Sequence, residues 1–394
     1  MSAQPTRIVV IGGGYAGVMA ANRLCSREDV DVTLVNPRPQ FVERIRLHQL
    51  AAADDPGSTV AVQDFGTVLN ARVRLVVDSA DRIDAATRRL ALSSGATLDY
   101  DYLVYAVGST GDVPASVPGA AEFAYPLSEL EQATRLRERL ADLAAPAPLV
   151  VVGGGLTGIE AAAEFAEAGR SVTLVTPVVG PSLSVAARRS VTKRLRTLGV
   201  TTVAAGVRTV GPDHVVLDDG RTLPSAVTVW TAGFGVPGLA AASGLTTDAL
   251  GRLITDETLT SVDDDRIVAA GDAAAPSGHP YRMSCQAGLP LGAQAAGTVL
   301  ARMAGTAVAD ATVPMSGQCI SLGRGAGTVQ IQHKDDTPRN LYIGGRTGAF
   351  VKEQVCRFTV KWLAAEARKP GSYRSLKGPD RSDLIATSPE VPVR

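Results

Sequence analysis

Glycines 12, 14 and 17 in RIVVIGGGYAG, and glycines 153, 155 and 158 in LVVVGGGLTGIE, are the residues whose spacing points most directly to chemistry. Each GxGxxG follows a run of β-branched residues and opens an Ala-rich helix, the setting in which the pattern binds a dinucleotide. A pyrophosphate must approach the backbone at the middle glycine, and the last glycine lets the helix pack on its strand. The free N–H groups and positive dipole end of that helix favour phosphate charge. Tyr15 and Ala16 in the first turn, and Leu156 and Thr157 in the second, add further backbone donors. A tight βα turn without ligand is the alternative for either turn taken singly. Two turns, 141 residues apart, imply two dinucleotides facing each other and electrons passing between them.

The elements that must position these turns follow the hydrophobic periodicity. Residues 1–36 read as strand, helix, strand, ending at Asn36, about where an adenosine ribose sits. The loop NPRPQF and a helical segment VERIRLHQLAA follow, then strands VRLVVDSA, LALSS and TLDYDYLVYAVGS. Pro/Gly-rich residues 111–119 mark a crossing into a charged helix over 127–143. A second strand–helix–strand unit spans 149–176 and ends at Thr176, and a basic amphipathic helix comes next. The chain crosses back over 236–260 to RIVAAGDAAA, a strand before Gly271 and Asp272, and then to a helix over about 283–304. Short strands over 313–345 lead to the helix FVKEQVCRFTVKWLAAEARKP and a polar tail expected to be poorly ordered.

Composition excludes several classes. The 394 residues balance 39 Lys/Arg against 39 Asp/Glu, so no global field points to nucleic acid. No apolar run is long enough to span a bilayer, and MSAQPTR runs straight into the first strand, which leaves no room for a signal peptide. The expectation is a cytoplasmic protein. Four cysteines (25, 285, 319, 356) and four histidines (48, 214, 279, 333) lie far apart, so neither a CxxC dithiol nor a metal site is expected. Cys285 reads either as a small core filler or as a thiol near a reaction centre.

Three further segments carry a resemblance. YAVGS (Ala106, Val107, Gly108), WTAGF (Ala232, Gly233) and Gly271-Asp272 match, in order, motifs of the pyridine nucleotide-disulfide oxidoreductase superfamily. The chain resembles its type II NADH dehydrogenase-like branch over residues 7 to about 305. The resemblance implies an α/β fold of two Rossmann-like, glutathione-reductase-like domains: an FAD domain at 1–115 and 236–312, and an NAD(P)H domain at 116–235. A C-terminal α+β element with an amphipathic helix and polar tail fills 313–394.

The resemblance also implies roles. FAD sits on the first glycine turn, with Asn36 at the ribose in place of the family's acid, and Arg46, Ala80 and Cys285 among its contacts. Asp272 binds the ribityl or phosphate region, its alternative being an N-cap of the next helix. NADH or NADPH sits on the second turn; Thr176 is neutral and repels no 2′-phosphate, and Arg170, Arg188 and Arg189 are within the same unit. Glu160 lies near nicotinamide and flavin, its alternative being an exposed helix charge. Gln286 matches the first glutamine of the AQxAxQ quinone motif, while Pro290 replaces the second. Arg44 and His48, four apart, can share a helix face as a polar site or as a surface ion-pair position.

The implied activity is an NAD(P)H:acceptor oxidoreductase that passes electrons through FAD to a quinone or quinone-like aromatic. A ferredoxin-type protein acceptor, and a flavin-binding redox sensor with little turnover, are the other readings. A monomer or homodimer is expected. Val351, Val355, Phe358 and Trp362 make one apolar stripe, and residues 350–381 carry eight Lys/Arg against three Asp/Glu. That profile permits peripheral membrane contact, but docking of the helix on the protein body is the favoured reading.

Overall fold

The computed structural model describes residues 4–55, 57–144 and 146–386. Its first unit contains β1 (Thr6–Ile11), α1 (Tyr15–Leu24), β2 (Val30–Asn36), β3 (Arg74–Val77) and β4 (Tyr102–Tyr105). β1 pairs in parallel with both β2 and β4. A parallel pair needs a crossover, and α1 supplies it. Ile8–Ile11 and Tyr102–Tyr105 are buried without alternation, because both faces of the sheet are covered.

The second unit repeats the plan with β5 (Ala124–Pro126), α2 (Leu130–Ala141), β6 (Pro148–Val152), α3 (Leu156–Glu167), β7 (Ser171–Val175), α4 (Val185–Thr197), β8 (Thr201–Val203) and β9 (Val227–Trp230). Its sheet is ordered β5-β9-β6-β7-β8, parallel throughout. The chain then returns, and β10 (Ile267–Ala269) pairs with β4, so the first sheet runs β10-β4-β1-β2-β3. α5 (Cys285–Met303) packs on α1. A Cβ at Gly292 would stand 2.2 Å from the Ala16 carbonyl, so glycine permits the approach. Pro290 lies buried inside α5 and leaves the Gln286 carbonyl without its helical donor. Last come an antiparallel sheet of β11 (Gly317–Ser321), β12 (Gly327–Gln332) and β13 (Pro338–Gly344), and the helix α6 (Gly345–Arg368). The fold is α/β, with two Rossmann-like units and a C-terminal α+β element.

Three expectations need correction. The tail is tied down as far as it is described: Glu366, fully buried, pairs with Arg23 at 2.7 Å and accepts from the N–H groups of Gly371 and Tyr373. Further on, Arg381 is 8 % exposed, pairs with Glu257 and lies over the Tyr281 ring. Residues 387–394 fall outside the described residues, as do 1–3. The apolar stripe of α6 does not make its docking face. The helix docks through Gly348, Cys356, Thr359, Leu363 and Glu366, while of the stripe Val355, Phe358 and Trp362 are exposed and Val351 is half-buried; Phe350 beside them is exposed too. Hydrophobicity alone misidentified that face because small and polar residues let α6 lie close to its neighbours. Finally, VERIRLHQLAA is not one helix. A 3-10 turn (Arg44–Arg46) gives way to a short α-helix (Leu47–Ala51), and this break sends Arg44 and His48 in different directions.

Candidate functional site

The two glycine turns behave alike, and four of their six motif glycines are required by the protein itself. A Cβ at Gly12 (φ +102°) would meet the Ala106 carbonyl at 2.3 Å, and one at Gly153 (φ +118°) the Thr231 hydroxyl at 2.6 Å. Gly17 and Gly158 would strike the carbonyls of Gly12 and Gly153 at 1.8 and 1.9 Å. Gly14 and Gly155 differ: a Cβ there meets nothing within 4 Å among the described residues. Both are N-caps in extended backbone (φ −83° and −68°) with no side-chain cap. Internal packing therefore does not explain these two glycines. The open space over uncapped helix N-termini fits a pyrophosphate, and both cradles pass this test for a dinucleotide.

The ribose ends are more self-contained. Asn36 accepts from the Gly13 N–H at 2.8 Å and donates to the Arg38 carbonyl at 2.7 Å. One lone pair and one N–H of the amide are left for a ligand. The Thr176 hydroxyl donates to the Val178 carbonyl at 3.0 Å and accepts from its N–H. Arg170 is turned to the carbonyls of Leu140 and Leu143, and Arg188 to that of Leu183. Trp230 Nε1 donates to the Ala232 carbonyl at 2.7 Å, beside Gly233 (φ +95°). Ala80 is half-buried at the start of a short antiparallel strand.

Beside the first turn, Asp272 accepts from Ser109 Oγ at 2.7 Å and from the Ser284 N–H at 3.1 Å. Ser284, not Asp272, caps α5. Gly271 (φ +75°) lies against Ala16, whose Cβ would stand 3.0 Å from a Cβ placed there, and Val107 and Gly108 lead into Ser109. Arg44 is clamped to the carbonyls of Ser109 and Ser128. Arg46 is spent on protein partners: both its Nη atoms reach Glu353 at 3.1 Å, its Nε reaches Glu43, and Gln49 accepts from it as well. Gln286 donates to the Pro314 carbonyl at 3.1 Å.

Glu160 is the centre of a buried cluster of charged and polar groups. It is 6 % exposed, not the exposed helix charge that was its alternative. Oε1 lies 3.0 Å from Lys352 Nζ and accepts from the Ser321 N–H at 2.9 Å; Oε2 lies 3.7 Å from His48 Nδ1. Burial pushes the carboxyl up, but the Lys352 ammonium, His48 and the Ser321 N–H together hold it below the ordinary glutamate range. Glu160 in turn holds Lys352 above the ordinary lysine range against burial. Burial pushes the thiols of Cys285 and Cys319 up to about 11, and raises that of Cys356. None is a thiolate at neutral pH, which argues against sulfur nucleophiles here. Two buried polar atoms of the region have no protein partner among the described residues, His48 Nε2 and Tyr15 Oη. Among the described residues, no group of three or more His, Cys, Asp or Glu is placed to hold a metal ion.

Lys352 and Ser321 were not found by sequence reasoning. They join Glu160 from β11 and α6, and nothing in their local pattern marks them. The cluster has a pH consequence. Burial pushes His48 down to about 4 against the pull of Glu160, whereas an unfolded chain protonates histidine near 6.5. Stability is therefore whole above about pH 6.5 and is lost as the pH falls toward 4, by on the order of 3 kcal/mol for this group. Urea unfolding across that interval should show the loss and a His48→Gln variant should flatten it; equal slopes in the two proteins would refute the assignment.

Comparison with known proteins gives these features a context. The family profile described as pyridine nucleotide-disulphide oxidoreductase matches residues 6–311. An NADH dehydrogenase-like protein of Mycobacterium tuberculosis is 37 % identical over 330 residues, covering 75 % of this chain and 80 % of that protein. A type II NADH:quinone oxidoreductase of the same organism is 28 % identical, covering 71 % and 70 %. Among solved structures, NDH2 from Plasmodium falciparum in complex with NADH superposes with a TM-score of 0.77 at 14 % identity, covering 93 % of this chain and 99 % of that one.

Proposed function

The chain belongs to the pyridine nucleotide-disulphide oxidoreductase family, and on that premise we propose that FAD is held at Gly12–Gly17, NADH or NADPH at Gly153–Gly158, and that a quinone takes the electrons. The protein is an FAD-dependent NAD(P)H oxidoreductase. The observation that carries the site assignment is the pair of open cradles at Gly14 and Gly155. FAD, when bound, accepts hydride from the nicotinamide and hands the electrons on.

The chain's own residues do the rest. Backbone N–H groups at Gly14–Gly17 and Gly155–Gly158 orient the two pyrophosphates. Asp272, fixed by Ser109 and Ser284, fits the ribityl or phosphate region. Glu160 keeps its charge because Lys352 faces it, and so stands ready to receive a proton at Oε2 and release it inward. His48 is neutral, with Nε2 free to accept.

A quinone needs protons as well as electrons, and a buried acid–base cluster beside the nucleotide sites serves that need. A protein acceptor such as a ferredoxin takes electrons alone and leaves the cluster without a task. The outward apolar face of α6, two residues from Lys352 at its Phe350 end, is the surface we assign to peripheral contact with a bilayer, where quinones partition. Pro290, where the quinone motif has glutamine, is the residue that speaks against this acceptor.

Stopped-flow mixing with NADH and NADPH, followed by an acceptor series, tests the proposal. The yellow protein should bleach with at least one nucleotide and recolour faster with a soluble quinone than with a ferredoxin. Protein that carries no flavin, or that neither nucleotide bleaches, would refute the enzyme reading.

A further inference from the structure

From Gly371 to Ala386 the chain beyond α6 has one buried residue. That residue is an arginine, Arg381, 8 % exposed, while Leu376 of the same tail is 75 % exposed. Apolar burial therefore does not dock this segment; a set of polar partners does. Arg381 Nη2 donates to the carbonyls of Pro276 and His279, Nη1 lies 3.4 Å from Glu257 Oε2, and Cζ stands 4.5 Å from the centre of the Tyr281 ring. The partners close a ring among themselves. Tyr281 Oη donates to the Ala311 carbonyl at 3.2 Å, and the Ala311 N–H donates to the Glu257 carbonyl at 2.6 Å. Just before Arg381, the Gly378 N–H donates to Thr312 Oγ1 at 3.2 Å, and a Cβ at Gly378 would stand 2.6 Å from the Val313 nitrogen.

The arginine grips the loop of residues 276–284, which joins the Asp272 turn to α5. We propose that Arg381 is a positioning residue for the flavin: the tail clasps this loop, and so keeps Asp272 and Ser284 in place at the first dinucleotide site. The inference rests on the assignment of FAD to the first glycine turn.

The loop needs such a hold. Ser277 (φ +49°) and Gly278 (φ +71°) are both left-handed, and a residue other than glycine stays in that region only where its surroundings over-determine it. Pro276 and His279, whose carbonyls Arg381 holds, bracket these two residues. The planar guanidinium serves both carbonyls and the face of a ring at once, which an ammonium does less well. At its far end the loop delivers the Ser284 N–H to Asp272 Oδ1 at 3.1 Å and the Ser284 hydroxyl to the N-terminus of α5. Loosening at 276–279 therefore reaches the carboxylate that fits the ribityl or phosphate region. Arg282, paired with Asp336 at 2.8 Å, anchors the middle of the loop to the turn between β12 and β13. The clasp is not a tight one. Glu257 Oε1 and Arg381 Nη1 are buried without a hydrogen-bond partner among the described residues, and unsatisfied polar atoms weaken the docked state.

The test follows FAD release from the flavin-loaded protein after dilution, read as the gain in fluorescence of free FAD. Two variants are compared with the parent: Arg381→Met, and a chain ended after Ser375, which keeps the contacts of Glu366 with Gly371 and Tyr373. Both should release FAD roughly tenfold faster or more, because a lost charged contact appears mainly in the dissociation rate. Titration with NAD⁺ and NADP⁺ reports the second glycine turn, which lies outside the clasp, and the affinity found there should match the parent's. FAD release at the parental rate in both variants overturns the clasp alone. Faster release accompanied by an equal weakening at the second turn overturns it too, since the whole protein has then loosened. If Arg381→Met fails to fold, the shortened chain decides between these outcomes. A parent protein purified without flavin overturns the FAD assignment, and the clasp with it.

Discussion

A Gly155→Val protein should be purified yellow and stay yellow when NADH or NADPH is added. Gly155 has φ −68°, which valine adopts without strain, and a Cβ there touches no atom among the described residues within 4 Å. The fold and the first dinucleotide site should therefore be unaffected. The new methyl groups occupy the approach to the N-terminus of α3, where the second pyrophosphate must meet the backbone. Apparent nucleotide affinity should fall at least about 100-fold, roughly 3 kcal/mol. Flavin absorbance and the rate of bleaching measure both halves of the claim. The same change at Gly158, where a Cβ would stand 1.9 Å from the Gly153 carbonyl, should instead disrupt the turn and the second sheet. Loss of flavin from Gly155→Val, with nucleotide binding intact, would show that the two cofactors occupy the opposite turns.

The largest effect on stability is expected from Lys352→Met. The lysine side chain is 13 % exposed and the Glu160 side chain 8 %. Removing the ammonium leaves a buried carboxylate with only the Ser321 N–H and a neutral imidazole, and breaking such a pair costs about 3–5 kcal/mol. The sign with pH follows. Without Lys352, burial dominates and the folded carboxyl of Glu160 rises above its unfolded value. Stability is then lost as the pH rises through the glutamate range, and the deficit is larger at neutral pH than in mild acid. Adding Glu160→Gln to Lys352→Met removes the stranded charge and should recover most of the loss. Urea midpoints for the three proteins decide it; a single variant as stable as the parent would show that the pair is not energetically coupled.

Much of the frame was legible because its signals are local. Gly12, Gly17, Gly153 and Gly158 sit where strand and helix collide, and their spacing announces the collision. Runs such as VVVGG need only their neighbours to be read as buried strand and turn. Glu160 was singled out by its place in GGGLTGIE, but its state was not legible. Whether a glutamate on the second turn of a helix is solvated or buried depends here on Ser321, 161 residues later, and on a lysine of α6. Arg46 was given to the flavin by the resemblance alone; its pairing with Glu353, 307 residues away, has no local signal. The tail misled for the converse reason: its polar composition predicts poor order, while Glu366 and Arg381 are polar groups with buried partners. The outward stripe of α6 shows that periodicity identifies an apolar face without revealing what that face meets.

The contact between Arg23 and Glu366 spans 343 residues, and it has a consequence for the newly made chain. Synthesis proceeds N-terminus first at about 5–20 residues per second, so α1 waits roughly 20 to 70 seconds for the partner of its last turn. β4 likewise waits for β10. During that interval the first nucleotide cradle emerges on a sheet that is one strand short, with the surface later covered by α5 and α6 still bare. The second unit has all its strands by Trp230, although Glu160 of its α3 still waits for Ser321 and Lys352. Vectorial synthesis thus lets the second sheet close before the first, whose edge strand β10 is made later.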